Sequence, residues 1–348
     1  MPPSTRIPTP VKEVGPLASL VLAPFEQNAL ARLRALGPVT YEPWTTTHRL
    51  RDPEELGAGL KAGGFAAVVI EADFLFEETF AAAAPGLRFV GLCRGALNQV
   101  DLEAATRHGV AVVHTPGRNA PAVAEHTLGL MLALLHRIPE AHQYVAAGRW
   151  QDPTAAYVEL QGSELGGKTV GIVGLGAIGR LVARRLRAFD VRLLAYDPYL
   201  DDDAVRRCGA TPATLEALLG ESDVVTLHAP PPANGRPLLT AGEFARMKPA
   251  ALLVNTASGA LVDETALADA LQRKALGGAA LDVFAGQPLP PSSQLLRLPN
   301  MVLTPHIGGA TVETVARHSA MIAEDLERCA AGRRPRRLAN PEVWHRGR

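Results

Sequence analysis

Apolar residues in this chain gather into short runs, and stretches of helical periodicity separate them along most of its length. Residues 17–23 form a candidate strand, and 26–36 carry a helical pattern that stops at Gly37-Pro38. Residues 53–62 predict a second helix, while 65–70 and 87–93 read as buried strands. Asp101 opens a helix that ends at Gly109, and 110–113 form a further strand. From 120 to about 147 the pattern is that of one long apolar helix, a connector between two domains rather than a surface element. Residues 148–167 read as irregular, with Trp150 and Tyr157 fitting a loop over its own domain or, the preferred reading, an oligomer contact. The alternation then resumes. Strands are predicted at 169–173, 191–196, 224–227, 252–255, 279–281 and 301–303, and helices at 202–207, 215–219, 241–247 and 264–273. A last helix runs from 312 to about 331. Strands and helices alternating in this way predict parallel sheets covered by helices.

The second half is arranged around one turn. After the strand at 169–173, Gly174, Gly176 and Gly179 stand at GxGxxG spacing, and apolar positions recur at helical intervals through 188. The first glycine makes a tight turn, the second admits a pyrophosphate and the third lets helix pack on strand. The helix N-terminus offers free N–H groups to the phosphates. Asp197, at the end of the next strand, is placed to accept hydrogen bonds from both ribose hydroxyls. Its charge would repel a 2′-phosphate, so NAD is favoured over NADP. Such a glycine turn alone is weak evidence, but the strand, the helix and the acidic strand end agree.

Composition narrows the function. The 348 residues suffice for two domains, and the 35 basic residues balance the 35 acidic ones, so no net charge favours nucleic acid or an anionic membrane. The longest apolar helical stretch, 126–135, is too short to span a bilayer. The opening MPPSTRIPTPVKEVGP lacks the form of a signal peptide and reads as a loose tail. Cys93, Cys208 and Cys329 are scattered, without metal spacing; they fit free thiols in a reducing cytoplasm, with no metal site expected. The run RRPRR at 333–337 reads as a solvated basic tail rather than a nucleic-acid contact.

Residues 85–315 resemble the D-2-hydroxyacid dehydrogenase family in stretches such as GIVGLGAIG, LLVNTASGALVDETAL, GGAALDVFAGQPLP and LTPHIGGAT. The resemblance implies two Rossmann- or flavodoxin-like doubly wound domains. Residues 1–118 with 315–348 would form a substrate domain and 119–314 an NAD-binding domain, with the active site in the cleft between. It further implies a homodimer acting on a small-molecule substrate. Cofactor contacts would fall on Gly174, Gly176, Ala177, Ile178, Gly179, Asp197, Pro198, His228, Ala257, Asp282 and Gly308. Asp282 matches the position that bonds the nicotinamide carboxamide. His306 matches the family's acid–base histidine, against the plainer alternative of a hydrogen-bonded structural residue.

Two family positions depart. Ser258 replaces the arginine of N-T-A-R-G, which grips the substrate carboxylate and polarises the carbonyl; losing it should cost about 2–4 kcal/mol. Gln287 replaces the glutamate that holds the histidine protonated, and can bond the ring in either tautomer. Formate dehydrogenases share the glutamine but keep the arginine, so a formate assignment is not supported. Arg94, Gly95 and Ala96 lie in the matching substrate loop, where backbone N–H groups could bind a carboxylate. Arg94 fits either a cation for that carboxylate or an ion pair. The reading is an NAD-dependent oxidoreductase on a 2-hydroxy or 2-oxo acid with an altered catalytic triad. The alternatives are an NAD(H)-binding protein with little turnover, or an enzyme that uses bound NAD for transient oxidation.

Overall fold

The computed structural model describes residues 16–345, so nearly all of the segment read as a loose tail lies outside the described residues. The chain divides into two compact units, Met1–Arg118 with Thr311–Arg348, and Asn119–Ala310.

The first unit is built on five parallel strands: β1 (Ser19–Val21), β2 (Val39–Tyr41), β3 (Ala67–Ile70), β4 (Phe89–Leu92) and β5 (Ala111–His114). Their order is β2-β1-β3-β4-β5. β1, β3 and β4 are buried at every residue, as expected of apolar runs covered on both faces. Helix starts follow from capping chemistry. The Asp52 carboxylate accepts from the Glu55 N–H at 2.8 Å ahead of Pro53, and Asp101 accepts from Ala104 at 2.9 Å. The pattern missed β2 and the helix Glu77–Ala83: the first is three residues long, and alanines dominate the second.

The stretch 333–337, read as a solvated tail, does keep Arg333, Arg334 and Arg336 exposed, but it is tied to the fold at its far end. The Asp325 carboxylate, fully buried on the helix Val312–Ala330, accepts from the Arg336 N–H at 2.6 Å and the Arg337 guanidinium at 2.9 Å. Glu324 binds Arg336 and Arg337 as well, at 2.7 and 2.9 Å. Beyond them Leu338 bridges to Val113, and Asn340 accepts from the Val112 N–H and donates to the Val110 carbonyl. Arg336 and Arg337 thus pair with the helix that precedes them.

The second unit holds seven parallel strands: β6 (Thr169–Val173), β7 (Arg192–Tyr196), β8 (Thr211–Pro212), β9 (Val224–Leu227), β10 (Leu252–Asn255), β11 (Gly278–Leu281) and β12 (Met301–Leu303). Their order, β12-β11-β10-β9-β6-β7-β8, reverses direction between β6 and β9, the switch point at which doubly wound sheets bind ligands. The expected long connector is two helices, Ala120–Leu135 and Ile138–Ala146. Arg137 between them takes a left-handed conformation (φ 51°), and Pro139 brings no N–H to the second helix. The arm after it is not wholly irregular either, because Asp152 caps a short helix at Pro153–Glu159. Trp150 and Tyr157 are exposed.

One histidine ties the separated segments of the first unit. His318 is fully buried. Its Nε2–H donates to the Pro24 carbonyl at 2.7 Å, while Nδ1 accepts from the Arg118 guanidinium at 2.7 Å. Arg118 also pairs with Glu71 at 2.7 Å. Burial, reinforced by the Arg118 charge, lowers the His318 pKa to about 4, so the folded chain holds it neutral. Protons bind the unfolded form more readily, so the stability gained above the ordinary range near 6.5 is lost as pH falls towards 4. The first unit should lose about 2 kcal/mol between pH 7.5 and 5 from this group. His318→Gln, which can make both hydrogen bonds, should flatten that slope in denaturant titrations; an unchanged slope would assign it elsewhere.

Candidate active site

Each residue singled out in the second half stands just past the carboxyl end of a strand. Gly174 follows β6, Asp197 β7, His228 β9, Ala257 and Ser258 β10, Asp282 and Gln287 β11, and His306 and Gly308 β12. Parallel strands deliver side chains to one sheet edge, so residues distant in sequence share it.

The glycine turn is shaped for a dinucleotide. Gly174 has φ 92°, and a Cβ there would strike the backbone of His228 and Ala229. Around Gly176 no heavy atom lies within 4 Å of a would-be Cβ, which leaves room for a phosphate. A Cβ on Gly179 would overlap the Gly174 carbonyl, so this position sets how closely helix meets strand. The helix Ala177–Leu186, through Ala177 and Ile178, begins at Gly176 without a side-chain cap. Its first N–H groups therefore remain available to an anion. Asp197 accepts from the Leu175 N–H at 2.9 Å and the Tyr199 N–H at 3.0 Å, fixing its carboxylate between turn and strand end beside the exposed Pro198. His228 is buried, which lowers its pKa to about 3, and stays neutral. Its Nε2 meets the Thr226 hydroxyl at 3.0 Å, and Nδ1 has no partner among the described residues. A buried polar atom left open beside the turn suits a ligand. These residues fit the dinucleotide the sequence implies.

His306 lies on the same edge, exposed and in a left-handed conformation (φ 55°) that a non-glycine residue adopts only when held. Asp282 holds it. This carboxylate, 2% exposed, accepts from the Thr304 hydroxyl at 2.6 Å, the Ile307 N–H at 2.9 Å and the Gly308 N–H at 2.8 Å. Burial alone would raise its pKa, but these bonds and His126 outweigh it and lower the group below the ordinary carboxylate range. His126 donates through Nε2 to the Thr304 oxygen at 3.1 Å. His126 and Thr304 were missed from sequence; Thr304 lies within the T-P-H motif, and no spacing pointed to His126.

The His306 ring meets Gln287 at 2.8 Å from Nδ1 to Oε1. The Gln287 amide nitrogen in turn donates to the Phe284 carbonyl at 3.3 Å, which fixes the amide so that Oε1 must accept. Nδ1 therefore carries a proton, and Nε2 has no partner among the described residues. Either tautomer was expected; the second bond of the amide selects one.

Ser258 makes its hydrogen bonds within its own loop. Its hydroxyl accepts from the Ala260 N–H at 3.3 Å, and its carbonyl accepts from the Asn255 amide at 2.8 Å. Gly259 beside it lies against the Phe284–Ala285 backbone so closely that a Cβ would collide. Ala257 is held by the Asn255 side chain at 3.0 Å.

In the first unit, Arg94, Gly95 and Ala96 follow β4. Arg94 is partly buried and forms no ion pair among the described residues. Desolvation lowers its pKa, partly countered by the Glu71 charge. Gly95 and Ala96 are exposed, and their N–H groups have no acceptor among the described residues. A bare guanidinium beside free N–H groups is an anion-binding arrangement. Among the described residues no cluster suits a metal ion, and no helix is long and apolar enough to cross a membrane.

The family described as D-isomer specific 2-hydroxyacid dehydrogenase, NAD binding domain, matches residues 128–308. A protein of Bacillus subtilis (strain 168), provisionally named a 2-hydroxyacid dehydrogenase, is 37% identical over 312 residues, covering 89% of this chain and 90% of that one. A glyoxylate reductase of Thermofilum pendens is 41% identical over 262 residues, or 75% and 77% of the two chains. A Thermus thermophilus protein of known structure superposes with a TM-score of 0.80 at 36% identity, covering 93% of this chain and 100% of its own.

Gly179→Ala should force helix and strand apart, costing about 1–3 kcal/mol and weakening dinucleotide binding, measured by NADH fluorescence, by at least about tenfold. Asp282→Ala should cost about 3 kcal/mol or more in denaturant unfolding, because the Ile307 and Gly308 N–H groups lose their acceptor.

Proposed function

This chain belongs to the D-isomer specific 2-hydroxyacid dehydrogenase family, and from that premise we propose that it interconverts a 2-hydroxy and a 2-oxo acid with an uncharged Ser258 in place of an arginine clamp. The observation that carries the reading is His306, held by Asp282 and oriented by Gln287 with Nε2 left free.

NAD, when bound, supplies the hydride acceptor and its reduced form the donor. The glycine turn and the helix N-terminus bind the pyrophosphate, and Asp197 binds the ribose hydroxyls and favours NAD over NADP. His306 Nε2 takes the proton of the substrate hydroxyl in oxidation and returns it to the carbonyl oxygen in reduction. Gln287 orients the ring but adds no negative charge to stabilise its protonated form. Ser258 contributes no charge to the carbonyl either. The substrate carboxylate still needs a cation or several N–H donors, since desolvating it unpaired costs several kcal/mol. Arg94 with the N–H groups of Gly95 and Ala96 supplies them. The protein works as a homodimer in a reducing, cytoplasmic setting, with the arm carrying exposed Val145, Trp150 and Tyr157 as the contact. The local use of the Ser258 hydroxyl also favours a second reading, an NAD(H)-binding protein of low turnover.

Absorbance at 340 nm with NADH and a panel of 2-oxo acids separates the two: steady oxidation supports the dehydrogenase, and its absence on every acid the second reading. Ser258→Arg with Gln287→Glu should raise the rate on pyruvate or glyoxylate by about 10²–10³-fold. Brisk turnover of both by the unmodified protein would remove the significance given to those positions. Arg94→Ala should weaken substrate binding by about 2–4 kcal/mol and leave NADH affinity nearly unchanged. NADH should bind more tightly than NADPH in fluorescence titration, and equal affinities would show that Asp197 does not read the ribose.

A further inference from the structure

The His306–Gln287 pair forms one border of a pocket of about 610 Å³, within the size range of small-molecule sites. Six of the other seven lining residues are apolar: Phe284, Pro288, Leu289, Leu296, Leu303 and Pro305. Among the described residues, no lysine, arginine, aspartate or glutamate lines it. Leu296 is 51% exposed, so the pocket presents apolar surface to water that a ligand could cover. Its walls are stiff, because Pro288 and Pro305 fix the backbone and Phe284 is buried in the sheet core. Thr304, the remaining polar lining residue, has its hydroxyl committed to Asp282.

We propose that this pocket binds the side chain of the substrate, and that the substrate is a 2-oxo or 2-hydroxy acid with an apolar side chain of at least four carbons, branched or aromatic. This rests on the proposed acid–base role of His306, because the pocket is defined by its position beside that ring. A phosphorylated or carboxylated side chain finds no cation here, and desolvating it would oppose binding. A hydrogen in place of the side chain, as in glyoxylate, leaves the apolar walls wet and gains nothing from them. Gln287 fits the same logic: an amide keeps the mouth of the pocket uncharged, where a carboxylate would have to share its water with an apolar ligand.

Each methylene transferred from water to such a surface strengthens binding roughly fourfold. The test uses unreactive mimics of 2-oxo acids, oxamate and N-isobutyloxamate, titrated calorimetrically into the full chain saturated with NADH. The isobutyl compound should bind at least about tenfold more tightly. Leu296→Asp should abolish most of that difference, with the melting temperature checking that the variant folds and a second variant, Leu289→Asn, expected to act in the same direction. Equal affinities for the two compounds in the unmodified protein overturn the pocket, as does a preference that both variants leave intact. If NADH binds but neither oxamate does, the 2-oxo-acid reading falls and the pocket with it.

Discussion

The arrangement of the second unit's edge depends on one buried carboxylate. Asp282 leaves β11 into the interior and collects the Thr304 hydroxyl and the N–H groups of Ile307 and Gly308. A carboxylate out of water is costly unless its lone pairs are filled, and here several donors fill them. Those donors are the loop after β12, so satisfying the charge dictates the loop's shape. His306 is bent into a conformation it would not choose, and its ring is turned towards Gln287. Orientation of the His306 ring thus begins with desolvation of a carboxylate that the ring itself does not touch.

The same economy governs the neighbouring loops. Gly259 lets the Ser258 loop lie against the Phe284–Ala285 backbone, and the Phe284 carbonyl fixes the Gln287 amide. Three loops that follow three different strands are therefore coupled by backbone contacts as well as by side chains. Such coupling leaves the His306 ring little freedom to turn away from Gln287.

Much of the fold was legible because most strands are short apolar runs between helices, and parallel sheets buried on both faces produce that pattern. The glycine turn was legible for a similar reason: its residues act through backbone geometry, which spacing encodes. The break at His136-Arg137 was passed over because the apolar periodicity continues across it, although Pro139 marks the start of the second helix. The ion pairs of 333–337 were hidden because charge counts do not reveal which helix face a basic run meets. His126 and Thr304 escaped notice since their role is to support another side chain, a relation created only by the fold.

The first unit is assembled from two ends of the chain, and this constrains how it can be made. His318 and Asn340 complete hydrogen bonds to Pro24, Val110 and Val112, while the helix Val312–Ala330 contributes Ile322 and Leu326 to the core shared with Val21 and Phe89. A ribosome releases residues 16–118 long before any of these partners exists. Residues 119–310 are all made in between, and they carry their own continuous sheet. The second unit can therefore mature as a single stretch during synthesis, whereas the first must keep its exposed apolar strands soluble until the last helix emerges. The order of translation makes the amino-terminal segment, though first to be made, the last to complete its core.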